Sequence, residues 1–342
     1  MSKKRLSDAL GATKSHKKVH EELLSMPDVY DLFQSFPDNV QDEIRSFLRG
    51  ERGLDLRYDR FFKAIFDCQL HPDRVEKLIS ALLGQPVKIR EVLPVEGSQL
   101  VEKGSFVVMD ILVELTDGSI VDVEMQKIGY KFPVQRTACY LSDIMMRQYN
   151  RVRSIRGKSF AYDDIKDVYL FILMEKSSKL FLEAPLTNQY VCHRHISYDN
   201  GIALPEIEHV TYLSLDIFQK SVQNISTELD AWMTFLSKND AKSILKLISE
   251  YPEFIPLYQD IAEFRRDPKE LMHMFSEALY ILDRNTERLM VDELQEERDE
   301  AIAKLNAANS ALADTTAERD AAYARIEELE KQLADKEPDK KD

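Results

Sequence analysis

Cysteine is scarce in this chain, and the little there is lies scattered. Cys68, Cys139 and Cys192 are odd in number and form no CxxC pair. That spacing excludes a disulfide framework and a zinc ribbon, and a reduced, cytoplasmic protein with buried thiols is expected. Glycine (10) and proline (12) are too few for a collagen-like or low-complexity chain. Long apolar runs are missing too. Val168 to Met174 (VYLFILM) falls far short of the ~20 residues that a membrane-crossing helix needs, so no membrane partner is expected. No apolar stretch follows the basic start, Met1-Ser2-Lys3-Lys4-Arg5, which therefore does not read as a secretory signal. There is no GxxxxGK phosphate loop, and no spacing supports a Ser/His/Asp triad.

What is present suffices for a sizeable core. The chain has 342 residues, 44% hydrophobic and 31% charged, more than one core usually serves. Its net charge of −14 is unevenly spread. Residues 1–20 carry Lys3, Lys4, Arg5, Lys14, Lys17 and Lys18 against Asp8 alone, and are expected to form a solvated, mobile arm. Residues 287–342 carry 17 acidic and 9 basic side chains. A chain this acidic does not simply coat nucleic acid. It can still bind a polyanion where local basic groups or bound cations face the phosphates.

Helical periodicity runs from about Pro27 to Phe47 and is interrupted at Pro37-Asp38, with Gly50 and Gly53 marking a loop. Helices are also expected over Asp59 to Phe66, and after Pro72 as far as Gly84. Val87 to Leu93 reads as a strand, Pro133 to about Tyr149 as a helix and Asp167 to Met174 as a buried strand. Weaker strands follow near 189–197 and 209–215, and the chain is helical from about 216. In 287–335, Ile302, Leu305, Leu312, Tyr323, Ile326 and Leu333 fit the a and d positions of one heptad register. Asn309, Thr316, Arg319 and Glu330 fill the others, so an imperfect coiled coil is expected, with Asn309 favouring a defined parallel dimer.

Residues 107–126 carry the sharpest pattern. Val107, Met109, Ile111, Val113 and Leu115 alternate with more polar neighbours, and Val121, Val123 and Met125 do so after Asp117-Gly118. This predicts a hairpin. A two-residue loop would send Asp110 and Glu124 to opposite sides of the sheet. A three-residue loop, Thr116-Asp117-Gly118, pairs Leu115 with Ser119 and sets Asp110 opposite Glu124, with Gln126 on the same face. Only the second register keeps the apolar side chains together, because a one-residue slip would drive carboxylates into the core. Opposed carboxylates repel unless a proton or a cation lies between them, and oxygen ligands suit Mg²⁺ or Mn²⁺. A polar sheet face turned to solvent would show the same pattern without any chemistry.

Arg136, Tyr140, Asp143, Arg147 and Arg151 fall on one helical stripe, either a phosphate-gripping surface or a solvated face with an internal Asp–Arg pair. Lys63 could touch a nucleic-acid backbone or lie on a surface helix. Cys192, His193 and His195 cluster, but no second ligand group accompanies them, which argues against zinc.

Three strings sharpen this: Asp59-x-x-Phe62-Lys63-x-x-Phe66, Met109-Asp110-Ile111, and Val123-Glu124-Met125-Gln126, followed by Arg136-x-x-x-Tyr140. In order and spacing the chain resembles the PD-(D/E)XK nuclease family transposases, the recombination-promoting nuclease (Rpn) group, over roughly residues 56–290. The resemblance implies an α/β, restriction-endonuclease-like core, a mixed sheet flanked by helices, with a helical C-terminal region and a terminal coiled coil. It also implies an Mg²⁺-dependent endodeoxyribonuclease that hydrolyses phosphodiester bonds in a transposase-like or recombination-promoting role. Asp110, Glu124 and the Met125 carbonyl would hold Mg²⁺ (or Mn²⁺), and Gln126 would take the place usual for lysine. Lys63, Arg136, Tyr140, Arg147 and Arg151 would contact DNA. Met109 stands where the family name has proline, facing the core. Gln126 can orient water but cannot act as a base at neutral pH or carry charge.

The expected organisation is a basic arm with helices (1–55), a nuclease-like core (56–215), a helical region (216–286) and a charged coiled-coil tail (287–342). That tail makes a homo-oligomer the expected assembly. The alternative function is a catalytically weak or inert nuclease-fold module that acts in binding and assembly through its coiled coil.

Overall fold

The computed structural model describes residues 5–95, 109–126, 134–186 and 189–334, with the backbone alone for 281–297, 299–301, 303 and 333–334. Lys3, Lys4, Val107, Val108, Pro133 and the Leu333 side chain lie outside the described residues. Two compact units result, Met1–Leu279 and Tyr280–Asp342.

Four helices open the first unit: α1 (Leu6–Leu10), α2 (His16–Leu24), α3 (Pro27–Ser35) and α4 (Asp38–Arg49). Pro27 starts α3 at a position where its missing N–H is harmless, and Pro37 forces Phe36 into an extended conformation that separates α3 from α4. Gly50 ends α4 at φ 78°, and a Cβ there would come within 2.6 Å of the Arg265 guanidinium. No other residue type satisfies both conditions without strain. The basic start is packed from Leu6 onward, not a solvated arm. Ala9 and Leu10 are fully buried, Lys14 pairs with Glu22 at 2.7 Å, and Arg265 donates to the Leu10 carbonyl.

Next come α5 (Asp59–Ile65) and α6 (Pro72–Leu83), then β1 (Ile89–Val92), β2 (Ile111–Leu115), β3 (Ile120–Gln126), α7 (Val134–Arg156), β4 (Val168–Met174), α8 (Lys179–Leu182), β5 (Val191–His193) and β6 (Glu208–Ser214). The strands form one mixed sheet in the order β1-β2-β3-β4-β6-β5. Neighbours β3–β4 and β4–β6 are parallel and the rest antiparallel. Five helices follow: α9 (Leu215–Ser221), α10 (Glu228–Ser237), α11 (Ala241–Glu250), α12 (Ile255–Glu263) and α13 (Pro268–Ala334). This helix-flanked mixed sheet is the restriction-endonuclease-like α/β architecture.

The β2–β3 hairpin has the three-residue loop. Leu115 N donates to Ser119 O at 2.8 Å and Gly118 N to Leu115 O at 3.0 Å, with Gly118 at φ 93°. The ladder pairs Leu112 with Asp122 and Ile111 with Val123, which sets Asp110 opposite Glu124. Both faces of the hairpin are covered. Leu112, Ile120, Leu170 and Ile172 pack with Tyr140, Leu141 and Ile144 of α7, while Val113, Val121 and Val123 are fully buried on the other side. Most of the polar side of the hairpin therefore lies beneath a helix, with Glu114, Asp122 and Glu124 buried and Asp110 and Gln126 partly exposed at its end.

Aromatic contacts join the segments before and after the sheet. Phe61 meets Phe275 at 4.9 Å between ring centroids, and Phe66 meets Trp232 at 6.0 Å. Residues 6–55 and 216–279 are thus packed into the same unit as the sheet, and the compact boundary falls after Leu279. Of the cysteines, Cys139 and Cys192 are exposed, contrary to the expected buried thiols, and only Cys68 is half-buried.

The second unit is helical as far as Ala334. Ile302, Leu305, Leu312, Tyr323 and Ile326 are all exposed on it. Among the described residues no helix is long and apolar enough to cross a membrane.

Candidate active site

The hairpin register creates the site. Asp110 precedes β2, Glu124 and Gln126 end β3, and each acid side chain holds the other strand's backbone. Glu124 Oε1 accepts from the Asp110 N–H at 3.0 Å, and Asp110 Oδ2 accepts from the Met125 N–H at 2.8 Å. The two carboxylates are thereby fixed on one sheet face before any ligand arrives. Gln126 Nε2 donates to Glu124 Oε2 at 3.2 Å, so the amide steadies the carboxylate beside it.

The Met125 carbonyl falls on the same side. Ile120 and Gln126 exchange backbone bonds with β4, Ile120 N to Asp167 O at 3.1 Å and Glu175 N to Gln126 O at 2.8 Å. Alternation along the strand then directs the Met125 backbone toward β2 and Asp110. In a continued ladder its partner would be the Met109 amide, which donates instead to the Val95 carbonyl at 3.0 Å.

From α5, Lys63 reaches into this cluster. Its Nζ lies 3.1 Å from Asp110 Oδ1 and 2.9 Å from Asp59 Oδ1. The sequence leaves Lys63 either touching a nucleic-acid backbone or lying on a surface helix; the structure places it against a proposed metal ligand. Burial opposes the Lys63 charge, yet the Asp110 and Asp59 carboxylates outweigh it and its pKa is raised.

Burial dominates the acids. Asp110 is pushed up to about 6, chiefly by desolvation, against the Lys63 charge. Glu124 rises well above the carboxylate range through desolvation and then the Asp122 and Asp110 charges. Asp122, two residues back on the same face, is fully buried, and a hydrogen bond with the Glu124 side chain only partly favours its charge. Desolvation, then the Asp110 charge, raises it as well. Three acids on one buried face oppose joint ionisation without a cation.

The α7 stripe is real, but it faces the sheet. At its start Arg136 donates to the Tyr140 hydroxyl at 3.1 Å and lies over that ring at 5.5 Å. Its charge also favours ionised Glu124. Arg147 and Arg151, expected on a phosphate-gripping surface, have other partners. Arg147 pairs with Asp143 at 2.6 Å and donates to the Pro94 carbonyl at 2.7 Å. Arg151 pairs with Glu91 and with Glu114, a buried acid at the far end of the same sheet face that Arg90 also meets at 2.8 Å. Buried Glu114 needs countercharge, and that need turns the stripe inward.

Two site residues escaped assignment from sequence. Asp59 lies one helical turn before Lys63, a spacing that signals an ion pair but not its destination. Asp122 belonged to the polar face, and only the covering helix reveals its burial. His193 bonds Thr211 Oγ1 at 3.0 Å with its ring 6.4 Å from that of His195, and among the described residues no group of three or more His, Cys, Asp or Glu gathers to hold a metal. The Asp110–Glu124 pair offers two carboxylates and the nearby Met125 carbonyl. That all-oxygen set suits an ion that keeps water and takes substrate phosphate. A cation, the Lys63 ammonium, already neutralises Asp110 Oδ1 there.

Residues 56–290 match the family model described as PD-(D/E)XK nuclease family transposase. No curated protein and no solved structure matches the chain.

Proposed function

The chain belongs to the PD-(D/E)XK nuclease family transposases, and we propose that it is a divalent-metal-dependent DNA endonuclease that hydrolyses phosphodiester bonds at the Asp110–Glu124 face. The observation that carries this is the reciprocal clamp, Asp110 on the Met125 amide and Glu124 on the Asp110 amide, which aligns two carboxylates on one face of a family nuclease fold. Asp110, Glu124 and the Met125 carbonyl would hold Mg²⁺ or Mn²⁺. When bound, the ion would polarise a phosphate oxygen and lower the pKa of a water.

The chain's own residues do the rest. Gln126 holds Glu124 and offers its amide oxygen to orient the attacking water; it cannot remove the proton. Arg136, on the exposed first turn of α7, presents its guanidinium to a phosphate, and Tyr140 supports it from beneath. Arg147 and Arg151 serve the fold and are left out of the DNA contact.

Purified full-length protein should nick or cut supercoiled plasmid with Mg²⁺ or Mn²⁺ and stop on chelation, as gel electrophoresis would read. Metal-independent cleavage, or none with either ion, would remove the assignment.

Assembly is a second part of the proposal. The apolar a/d positions from Ile302 to Ile326 are all exposed on the helix of the second unit, and a second copy offers the same heptads in register. Light scattering should give a dimer for the full chain and a monomer after removal of residues 287–342. An unchanged mass would exclude the tail as the contact.

A further inference from the structure

Gln126 leaves the strand position without a positive charge, and no other residue of β2 or β3 near it supplies one. Among the described residues, the cation in contact with Asp110 comes from a different element. Lys63 is the fifth residue of α5, whose Phe61, Phe62 and Ile65 are buried, with Phe62 and Phe66 in ring contact at 4.9 Å. That packing fixes the root of the lysine. Its side chain remains 35% exposed, so the ammonium sits at the mouth of the site while touching Asp110. Asp59, one turn earlier, holds the same nitrogen from the other side.

We propose that Lys63 is a catalytic residue of the reaction inferred above, supplying from α5 the positive charge that Gln126 lacks, with Asp59 as its positioning partner. This rests on the hydrolytic assignment of the site. In the reaction a water oxygen forms a bond to phosphorus and one P–O ester bond breaks. The leaving oxygen takes up a proton, the water loses one, and nothing is oxidised or reduced. Negative charge grows on the phosphoryl and leaving oxygens as the ester bond breaks, and a fixed ammonium there lowers the barrier more than it strengthens ground-state binding. Held as an ammonium by two carboxylates, Lys63 acts by charge and not as a base. Asp59 would keep the Lys63 ammonium at the site if a divalent ion shared the Asp110 carboxylate.

The alternative is that Lys63 is only a counter-ion that lets Asp110 be buried. Full-length parent, Lys63→Met, Lys63→Arg and Lys63→Met/Gln126→Lys chains distinguish the two. Plasmid cleavage would be followed with Mg²⁺, DNA affinity with Ca²⁺, and Mn²⁺ binding without DNA by calorimetry. Lys63→Met should lower kcat about 100-fold, as loss of one charge-stabilising donor does, with DNA affinity within about threefold. Its Mn²⁺ affinity should hold or rise, because a competing cation is gone. Lys63→Arg should keep most of the rate, and moving the lysine to position 126 should recover at least about tenfold of the loss. Lys63→Met cleavage equal to the parent's, rate and affinity falling together, or no recovery in the double variant would overturn the role of Lys63 and leave the nuclease assignment standing. A parent chain silent with every ion would overturn the nuclease assignment itself, and this role with it.

Discussion

Glu124→Gln is expected to reduce metal-dependent cleavage at least about a thousandfold, some 4 kcal/mol of transition-state stabilisation, while leaving the protein folded. Asp110→Asn should fall as far. The amide variants are the informative ones. Gln at position 124 still has an oxygen to accept from the Asp110 N–H, and Asn at 110 can still accept from the Met125 N–H, so the strand ends stay joined. Alanine at 124 would leave the half-buried Asp110 amide unsatisfied, at about 1–3 kcal/mol, and would confuse lost chemistry with lost order. What the amides remove is negative charge, on which a hard divalent ion depends. Calorimetry should show Mn²⁺ affinity dropping with the rate, and DNA affinity in Ca²⁺ should be the control. If both variants cleave plasmid within tenfold of the parent, the ion is not held by this pair.

Much of the geometry of this face is legible in the sequence. The side-chain period of a strand is two, so the hydrophobic pattern admitted one hairpin register, and Thr116-Asp117-Gly118 supplied the loop that produces it. Prolines 27, 37 and 72 and glycines 50 and 84 punctuate the helices where their backbone chemistry requires. Alternation reports which side chains share a face, but not what lies on that face. Covering the hairpin with α7 turned a presumed wet face into a buried one, and with it changed the meaning of Asp122 and Glu114. The Arg147 and Arg151 spacing predicts one stripe, yet a stripe has no sign for inward or outward. The demand of buried Glu114 supplies it. Lys63 shows the same limit across long separation, since nothing local to α5 reveals that its lysine ends 3.1 Å from an acid 47 positions later. The basic start likewise looked solvated because charge dominates its composition, whereas Ala9 and Leu10 anchor it.

A divalent ion should oppose the pH dependence of stability. In the metal-free protein Asp110, Asp122 and Glu124 all have pKa values raised by burial, Asp110 to about 6 from an ordinary 3.8. Above the ordinary value the unfolded chain has released protons that the folded chain retains. The folded state then binds more protons, so the contribution of these groups to stability falls as pH rises, from about 4 through 6 for Asp110 and further for the other two. Lys63, Asp59, Arg136 and the Asp143–Arg147 pair also face this cluster and set how far the fall extends. A divalent ion works against that trend. It requires ionised ligands, so its affinity grows over the same range, and an ion at 100 times its Kd adds about 2.7 kcal/mol to the folded state. Thermal melts of the full chain at pH 5 and pH 8 should therefore show Tm falling with pH in chelator, and an ion-induced rise that is larger at pH 8. Asp122→Asn separates the parts of this effect. It removes a buried acid whose charge desolvation opposes and which lies outside the proposed ligand set, so it should raise the metal-free Tm at pH 8 and flatten its slope. The ion-induced rise should survive in that variant. A rise lost with Asp122 would make it a ligand, and a metal-free Tm that climbs from pH 5 to 8 would mean that the three acids are already ionised in the fold.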